Sequence, residues 1–421
     1  MNGTAIITGA SSGLARVRVG SMSVWVADKA WLAPQIWAPR MGMDGNGQYD
    51  LGPRTGSVLV FGPYLVRNAT IIGSTLALTG DLKPEMTHLQ AVIPPPIKSI
   101  TFNHHPVQVS ISPTGTLQGS ITVQDPTPKL PSLRDLEWKY ADSLPEVGEF
   151  DDLGWVLADK MVTAWPSRFQ PLSGKWVLFL AEYGFHHVFL NRQFLGSAEG
   201  RGTKDLEGGL DMVNVTYPFE GLDENVLTVV VDNMGLEQDW NSKDEFKAPR
   251  GIRGYELLGG GDFMSWRIAG ASNGDTIRGP MNLGGLYVER TGAVYSNDSA
   301  VSWSAGSPFV GIDKAGIRAY KTTLRLDVPE DADVPFGFKF VTGGRCRVML
   351  YVNGWQFGKF VSSFGPQSLF PVPEGVLNHR GENEVVMILW ALDPEGGKVD
   401  VELVATNGVV SSKEVVRGLV A

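Results

Sequence analysis

A short hydrophobic segment occurs twice in the chain, and each copy is typical of a strand that turns back on itself. Residues 188–196 read VFLNRQFLG and residues 350–358 read LYVNGWQFG, so each copy has hydrophobic residues before an asparagine and a glycine five positions after it. In the second copy, Asn353-Gly354 favours a tight turn because both residues tolerate positive φ. The repeat therefore predicts two related β-hairpins.

The similarity continues beyond the two hairpins. The first copy is followed by YPFEG from Tyr217 and NVLTVVVDN from Asn225, and the second by FPVPEG from Phe370 and NEVVMILWA from Asn383. Each copy thus contains a hairpin, a segment with proline and an Asn-led strand, in the same order. Chance rarely produces such an order twice, so we expect two related β-sandwiches of jelly-roll type.

The remaining hydrophobic pattern predicts an all-β chain. Apolar stretches are short and end at turn residues, and the 51 glycines and 26 prolines are spread along the 421 residues. No apolar pattern with helical spacing persists, so the alternation of strands and helices that builds a barrel or a nucleotide-binding fold is missing. The length allows roughly two to four domains, each with its own core. The predicted strand segments begin at Ser57, Trp176, Val226, Arg347, Glu384 and Val401.

Charge and cysteine content exclude several classes of partner. The formal net charge of -9 offers no basic face for phosphates, so neither nucleic acid nor an anionic membrane is an expected partner. Cys346 is the only cysteine, which excludes an intrachain disulfide and a cysteine-based zinc site and indicates a small buried hydrophobic residue. We expect no membrane span, because no run of about 18 apolar residues occurs, and no signal peptide, because residues 1–20 lack a charged start followed by an apolar block.

Three motifs between the two repeat copies resemble a known family. They are KAPRGIRGYEL from Lys247, WRIAG from Trp266 and RGPMNLGGLYVER from Arg278. The series resembles the tandem jelly-roll region of fungal-type β-galactosidases of glycoside hydrolase family 35. GPYLVRNATIIGSTLALTGDL from Gly62 is similar to the middle domains of these enzymes, and GPQSLFPVPEGVLN from Gly365 to their last domain.

The resemblance implies a division of the chain into five parts. Residues 1–16 have no counterpart in the family, residues 17–83 correspond to a remnant of its second domain, and residues 84–135 to its small third β domain. Residues 136–290 correspond to the first jelly roll and residues 291–421 to the second. The chain joins AEYGFH directly to HVFLNRQFLG, where the family has further strands, so we expect an internal deletion near residues 187/188.

The activity of the family requires a domain that this chain is expected to lack. The resemblance implies two catalytic glutamates in an N-terminal TIM barrel, one acting as acid/base and one as nucleophile. No segment resembles that barrel, so we expect accessory β-domains of a β-galactosidase that hydrolyses terminal β-D-galactosyl residues, inactive when alone. Two alternatives stay open, a stand-alone carbohydrate-binding module and the non-functional product of a truncated gene.

The sequence offers no catalytic, cofactor-binding or metal-ligating residue, and no cofactor is expected. The segment Glu382-Asn383-Glu384 matches the ENE segment that carries the family's acid/base glutamate, but it is interpreted as a solvated turn before a strand. His104-His105 and His186-His187 lack a third ligand at a recognised spacing, so both pairs are interpreted as surface or packing residues.

Candidates for carbohydrate contact remain. Trp355, expected in the tight turn of the second copy, is a candidate for an exposed platform on which a sugar stacks. Asn68, Asn214 and Asn297 begin sequons and are candidate N-glycosylation sites in a secreted chain. The resemblance implies an extracellular location and a β-galactoside or plant-type polysaccharide as ligand, and it leaves the oligomeric state open.

Overall fold

The chain forms two compact units, which are described separately below. Unit 1 comprises Met1–Leu130, Asp327–Phe336 and Ala405–Arg417, and unit 2 comprises Pro131–Leu326, Gly337–Val404 and Gly418–Ala421. The computed structural model describes residues 14–20, 22–27, 36–38, 58–93, 97–148, 151–157, 168–169, 175–180, 185–199, 213–218, 225–232, 252–258, 264–269, 285–295, 298–342, 344–363 and 367–413.

Unit 1 contains a hairpin and two larger sheets in its described ranges. The hairpin consists of β1 (Leu14–Val19) and β2 (Met22–Ala27). The five-stranded sheet contains, in spatial order, β10 (Val109–Ile111), β11 (Leu117–Thr122), β7 (Met86–Val92), β4 (Leu59–Phe61) and β3 (Ile36–Trp37). The six-stranded sheet contains β24 (Ala332–Asp333), β31 (Val409–Ser411), β6 (Thr75–Leu82), β8 (Ser99–Phe102) and β9 (His105–Val107), with β5 (Leu65–Ile72) paired to β6.

The alternation of side chains along its strands builds the core of unit 1. In β7, Thr87, Leu89 and Ala91 are buried, whereas the intervening His88 is exposed, as expected for a strand with one face on the core. Similar alternation in neighbouring strands places their apolar residues in the same cluster. The cluster contains Val58, Val60, Val66, Ala69, Leu76, Leu78, Leu82, Leu89, Ala91, Ile97, Ile100, Phe102 and Leu117.

Two segments far along the chain complete the six-stranded sheet of unit 1. Strand β31 pairs with the end of β6, where Val410 lies opposite Leu82 and Ser411 opposite Asp81. The Ser411 hydroxyl donates to Asp81 Oδ1 at 2.6 Å, and Arg67 binds the same carboxylate through Nε at 3.2 Å and NH2 at 2.6 Å. The buried Asp81 thus joins three strands of this sheet.

Unit 2 contains two six-stranded and two three-stranded sheets in its described ranges. One six-stranded sheet has the order β13 (Val156–Leu157), β21 (Trp266–Ile268), β14 (Arg168–Phe169), β19 (Leu227–Asp232), β16 (Phe185–Leu190) and β17 (Gln193–Glu199). The other has the order β22 (Ser304–Ala305), β12 (Lys139–Asp142), β23 (Gly316–Asp327), β29 (Arg380–Ala391), β26 (Cys346–Val352) and β27 (Trp355–Val361).

Each six-stranded sheet packs against a three-stranded sheet. The first partner sheet has the order β18 (Val213–Pro218), β15 (Lys175–Leu180) and β20 (Ile252–Leu258), and Tyr217 of β18 contacts His186 of β16 with ring centroids 6.0 Å apart. The second has the order β28 (Leu369–Val372), β25 (Phe336–Thr342) and β30 (Val399–Ala405), and Phe340 stacks on Phe360 of β27 at 5.2 Å. We refer to these pairs as the first and second sandwich.

Helical structure is sparse in the described ranges. The α-helix α1 (Tyr287–Arg290) has one turn, and 3-10 helices occur at Leu133–Asp135, Pro145–Val147, Ala293–Tyr295 and Asp298–Ala300. No helix in this part of the chain is long and apolar enough to cross a membrane. The prediction of an all-β chain is confirmed.

Strand β26 is an interior strand of the second sandwich. It pairs with β27 on one side and β29 on the other, and all seven of its residues are buried. Cys346 begins this strand and packs as the small buried residue expected from the sequence. Burial raises the pKa of Cys346 to about 11, so its thiol stays protonated at neutral pH.

Candidate functional site

The two repeat copies fold into hairpins with the same irregularity. The pairing of β16 with β17 shifts register between Val188 and Phe189, and the pairing of β26 with β27 shifts at the equivalent step, between Leu350 and Tyr351. The glycine that ends each copy lies under an aromatic ring, since a Cβ at Gly196 would overlap Tyr217 and one at Gly358 would overlap Phe370. Both rings belong to the Pro-containing segments of the repeat.

Each turn is held by a pair of asparagines. Asn191 Nδ2 donates to Asn225 Oδ1 at 2.8 Å, and Asn353 Nδ2 donates to Asn383 Oδ1 at 2.8 Å. The side-chain oxygen of each turn asparagine accepts the backbone N–H of the residue after its partner, at 2.9 Å from Val226 and 2.8 Å from Glu384. These bonds explain why each repeat copy has an asparagine in the turn and a second one near the beginning of its later strand.

The two turns differ at their second residue. The φ angles are 48° and 76° at Asn191 and Arg192, and 47° and 77° at Asn353 and Gly354. Glycine adopts this left-handed conformation without a Cβ clash, whereas another residue pays roughly 1–2 kcal/mol. The first copy therefore keeps an arginine where the same backbone favours glycine. Strain of this kind is concentrated at functional sites.

The backbone strain at Arg192 predicts that two reciprocal substitutions change the stability of the chain in opposite directions. Arg192→Gly is expected to raise the free energy of unfolding by about 1 kcal/mol, and Gly354→Arg to lower it by at least as much. Urea unfolding of both variants and the unaltered chain measures these differences. A destabilised Arg192→Gly variant would contradict the prediction, because the arginine side chain would then stabilise the fold by more than its backbone conformation costs.

Arg192 lies at a cleft of unit 2 with a volume of about 810 Å³. Its apolar wall includes the rings of Phe189 and Phe194, whose centroids are 5.3 Å apart. A mixed lining of aromatic rings and a few polar groups is typical of small-molecule sites. The charged residues that line this cleft are three cations and two carboxylates: Arg192, Lys314, Arg345, Asp142 and Asp393.

Arg345 and Asp142 are examples of charged groups in the cleft that have partners within the protein. Arg345 NH1 lies 2.9 Å from Asp393 Oδ1, so this pair is internally neutral. Asp142 Oδ1 accepts the backbone N–H of Leu144 at 3.1 Å. None of the sequence patterns singles out this cleft, because its residues come from distant segments. Among these residues, only Arg192 is distinguished in the sequence, because it occupies the repeat position at which the second copy has Gly354.

Two fully buried histidines follow one another on β16 and lie on opposite faces of its sheet. His186 Nε2 is 2.7 Å from the Tyr217 hydroxyl, whereas the His187 ring packs edge-on against Trp390 at 4.9 Å between centroids. Within the described ranges, neither ring nitrogen of His187 has a hydrogen-bond partner. Burial lowers the pKa of His186 to about 3 and holds the pKa of His187 well below 6.5. Both rings are neutral packing groups at pH 7, and they diverge as expected from neighbouring strand residues.

The buried histidines predict a dependence of stability on pH. Both take up protons below pH 6.5 in the unfolded chain but not in the folded one, so stability is greatest above pH 6.5 and falls as the pH drops towards about 3. Below pH 6.5, each histidine lowers the free energy of unfolding by up to about 1.4 kcal/mol for every pH unit that the pH falls. His187→Phe is expected to remove one such contribution and to raise stability at pH 7 by about 1 kcal/mol, because an unpaired polar group leaves the core.

Urea unfolding at pH 7, 6 and 5 measures this change. The matched variant His186→Phe is expected to reduce the pH dependence similarly without the gain at pH 7, because it removes the bond with Tyr217. An unaltered pH dependence in His187→Phe would show that His187 is protonated in the folded chain.

The carbohydrate and glycan candidates lie far apart in the sequence, and the three that the structure describes lie on different strands. Trp355 is half-buried at the start of β27, opposite Val352. Asn68 is exposed on β5, and its Oδ1 accepts the backbone N–H of Ala69 at 2.8 Å. Asn214 lies on β18, and Asn297 lies outside the described residues. Their roles as sugar platform and glycan attachment sites stay predictions.

The segment Glu382–Glu384 lies inside β29, so the prediction of a turn before the strand was wrong. The strand already includes this segment, and Asn353 Oδ1 accepts the backbone N–H of Glu384 at 2.8 Å. Glu382 is exposed, and Glu384 Oε2 lies 2.5 Å from Lys321 Nζ. Side chains alternate between the two faces of a strand, so Glu382 and Glu384, two positions apart, lie side by side on the same face and do not face each other across a cleft.

The described ranges contain no cluster of three or more metal-ligating side chains. His104 is exposed in a turn with φ of 67°, and His105 is exposed at the start of β9. These positions agree with the interpretation of this pair as surface residues.

Two family models match separate parts of the chain. The model described as β-galactosidase, domain 3 matches residues 37–118, and the model described as the β-galactosidase second all-β domain matches residues 287–395. The strands of β3 to β11 lie within or beside the first match, and the second match contains most of the second sandwich. Fold and matches together define a set of all-β domains of the β-galactosidase type.

Relatives of the chain include fungal β-galactosidases. Probable β-galactosidase A from Neosartorya fischeri is 36% identical over 447 residues, which cover 95% of this chain and 44% of the relative. β-Galactosidase A from a Penicillium species is 34% identical over 445 residues, which cover 94% of this chain and 43% of the relative. The chain thus spans less than half the length of these curated relatives. It corresponds to the non-catalytic β-domains of fungal-type β-galactosidases, and the resemblance found in the sequence is confirmed.

Proposed function

We propose that the chain acts as the accessory β-domain region of a β-galactosidase that hydrolyses terminal β-D-galactosyl residues. The observation that carries this proposal is the 36% identity with a fungal β-galactosidase A over 95% of the chain. A retaining glycosidase requires two facing carboxylates about 5 Å apart. Glu382 and Glu384 do not form such a pair, because Glu384 is bound to Lys321 and the two residues lie side by side on one strand rather than on opposite sides of a cleft. Catalysis then depends on a barrel outside the region that matches this chain.

A chimera tests the accessory role. The chain replaces the matching part of the Penicillium enzyme, and hydrolysis of an aryl β-galactoside is measured for the chimera and for the chain alone. We expect turnover by the chimera and the buffer rate for the chain alone. A chimera that folds as a monodisperse protein but does not hydrolyse the substrate would contradict the accessory role. Turnover by the chain alone that disappears in Glu384→Gln would contradict the assignment of catalysis to a barrel.

We further propose that a segment of the first sandwich has been lost near residues 187/188. The alignment with the Neosartorya fischeri enzyme runs over 447 residues, more than the 421 residues of this chain, so the relative has residues without a counterpart here. Strand β16 passes through this point and pairs with β17 and β19 along its length. Transcript sequencing across this position separates a true deletion from an incorrectly assembled gene. The expected domain bounds at 17–83, 84–135, 136–290 and 291–421 remain proposals.

We also propose an extracellular location and a β-galactoside or plant-type polysaccharide as the ligand of the whole enzyme. The names of the relatives support a galactoside, and the exposed Asn68 is compatible with an attached glycan. The alternatives of a stand-alone carbohydrate-binding module and of a damaged gene product predict that the chimera is inactive.

A further inference from the structure

We propose that a polar groove of unit 1 binds an uncharged oligosaccharide of pyranose units. The groove has a volume of about 910 Å³ and lies across β10, β11 and β7 of the five-stranded sheet. We call it the amide groove, and its polar side chains include three glutamines, two serines and a histidine: Gln90, Gln108, Gln118, Ser110, Ser120 and His88. The choice of galactose as the sugar unit rests on the proposed function.

The strand register places the polar side chains of the amide groove in two rows on one face of the sheet. Ser110 lies opposite Gln118, and Gln118 lies opposite Gln90, so one row crosses three strands. Two residues further along β11, Ser120 lies opposite His88 and begins a second row. Neighbouring strands are about 4.8 Å apart and alternate residues of one strand about 6.7 Å apart. The rows therefore form a grid of donors and acceptors in which one sugar ring can contact several side chains.

Two glutamines of the amide groove are not used by the protein itself. Gln108 and Gln118 are exposed, and neither side chain has a hydrogen-bond partner in the part of the chain that the structure describes. A primary amide offers two N–H donors and a carbonyl oxygen with two lone pairs. Neighbouring hydroxyls of a sugar each donate and accept, so they match both functions of an amide. These two side chains can therefore bind a sugar without losing bonds within the protein.

Two further side chains of the amide groove are held in place at one end. Gln90 Nε2 donates to Thr116 Oγ1 at 2.7 Å, and His88 Nδ1 lies 3.0 Å from Ser120 Oγ. These bonds orient Gln90 and His88 and leave Gln90 Oε1 and His88 Nε2 for a ligand. A side chain that is already ordered loses less conformational entropy when a ligand binds.

The charge of the amide groove favours a neutral ligand. Glu85 is the one acidic or basic side chain apart from His88 among the described residues of the lining, so a phosphate or carboxylate would meet a carboxylate and no lysine or arginine. An apolar ligand would separate the glutamine amides from water without replacing their hydrogen bonds. Met86, next to Glu85, is 56% exposed and offers a polarisable contact for the C–H groups of a sugar. An uncharged polyhydroxylated ring fits all of these groups.

Calorimetric titration of the whole chain tests the proposal, with β-1,4-linked galactotetraose as the probe and tetragalacturonic acid as the charged control. We expect saturable binding of galactotetraose and at least about tenfold weaker binding of tetragalacturonic acid, whose carboxylates find no cation in the groove. Absence of galactotetraose binding by the folded chain would overturn the site. Equal binding of the two tetrasaccharides would overturn the inference of an uncharged ligand.

Variants locate the binding site. Gln118→Leu is expected to weaken galactotetraose binding at least about tenfold through the loss of its amide hydrogen bonds, and Gln108→Leu is expected to act similarly. Both residues are exposed, so thermal unfolding is expected to stay unchanged. Gln367→Leu, which alters an exposed glutamine of unit 2, is expected to bind as the unaltered chain does. Unchanged binding by Gln118→Leu and Gln108→Leu would contradict the proposal. Failure here leaves turnover by the chimera unaffected, so the two proposals fail separately.

Discussion

Asp232→Ala is expected to lower the free energy of unfolding of unit 2 by about 3–5 kcal/mol, the usual cost of breaking a buried ion pair from one side. Asp232 ends β19 of the first sandwich and is buried against two cations of the second, Arg347 on β26 and Lys359 on β27. The Arg347 side chain is only 1% exposed, so removal of the carboxylate takes this counterion away from a buried charge.

Urea unfolding of the variant measures this loss. Asp400→Ala is the matched control, because it breaks an ion pair with Arg134 in which both side chains are about half exposed, and such pairs contribute at most about 1 kcal/mol. The double variant Asp232→Leu with Arg347→Met is expected to recover much of the stability, since hydrophobic replacement of a buried pair is often neutral. Similar losses for Asp232→Ala and Asp400→Ala would show that burial does not determine the strength of the Asp232 contact.

Removal of residues 407–421 is expected to destabilise unit 1 by about 4 kcal/mol, although most of this unit is formed by the beginning of the chain. The deletion removes β31 and with it the buried Val409, the ladder to Leu82 and the hydrogen bond from Ser411 to Asp81. Burial of one valine contributes roughly 1.5–3 kcal/mol, and each of these hydrogen bonds about 1 kcal/mol.

Hydrogen exchange along β6 locates the effect, because its amides next to β31 are expected to lose protection. A chain that ends at Lys413 keeps β31 with all of these contacts and is the matched control. Equal destabilisation of the two truncated chains would assign the effect to residues beyond β31. Unaltered exchange in β6 after removal of residues 407–421 would show that the sheet is stable without its distant strand.

The class of fold and the two hairpins could be predicted because their signals are local. Asn353-Gly354 selects a tight turn through the φ angles that these residues tolerate, and the apolar runs on either side have strand length. The repeat extended this prediction to the first copy, which has Arg192 in place of the glycine of an Asn-Gly turn. The family resemblance followed from long motifs that are also read from consecutive residues. The candidate platform Trp355 came from the same local pattern, and its role stays a prediction.

The tertiary structure decided what depends on residues that are distant in the sequence. It placed Ala405–Arg417 in unit 1, paired Asp232 with Arg347, and moved Glu384 from an expected turn into β29. It also assembled the cleft from side chains of separate segments. Turn type and strand length are determined by neighbouring residues, so a sequence reveals them directly. Strand partners and the burial of charged groups are determined by which edges and faces meet after folding, and no short stretch of sequence contains that information.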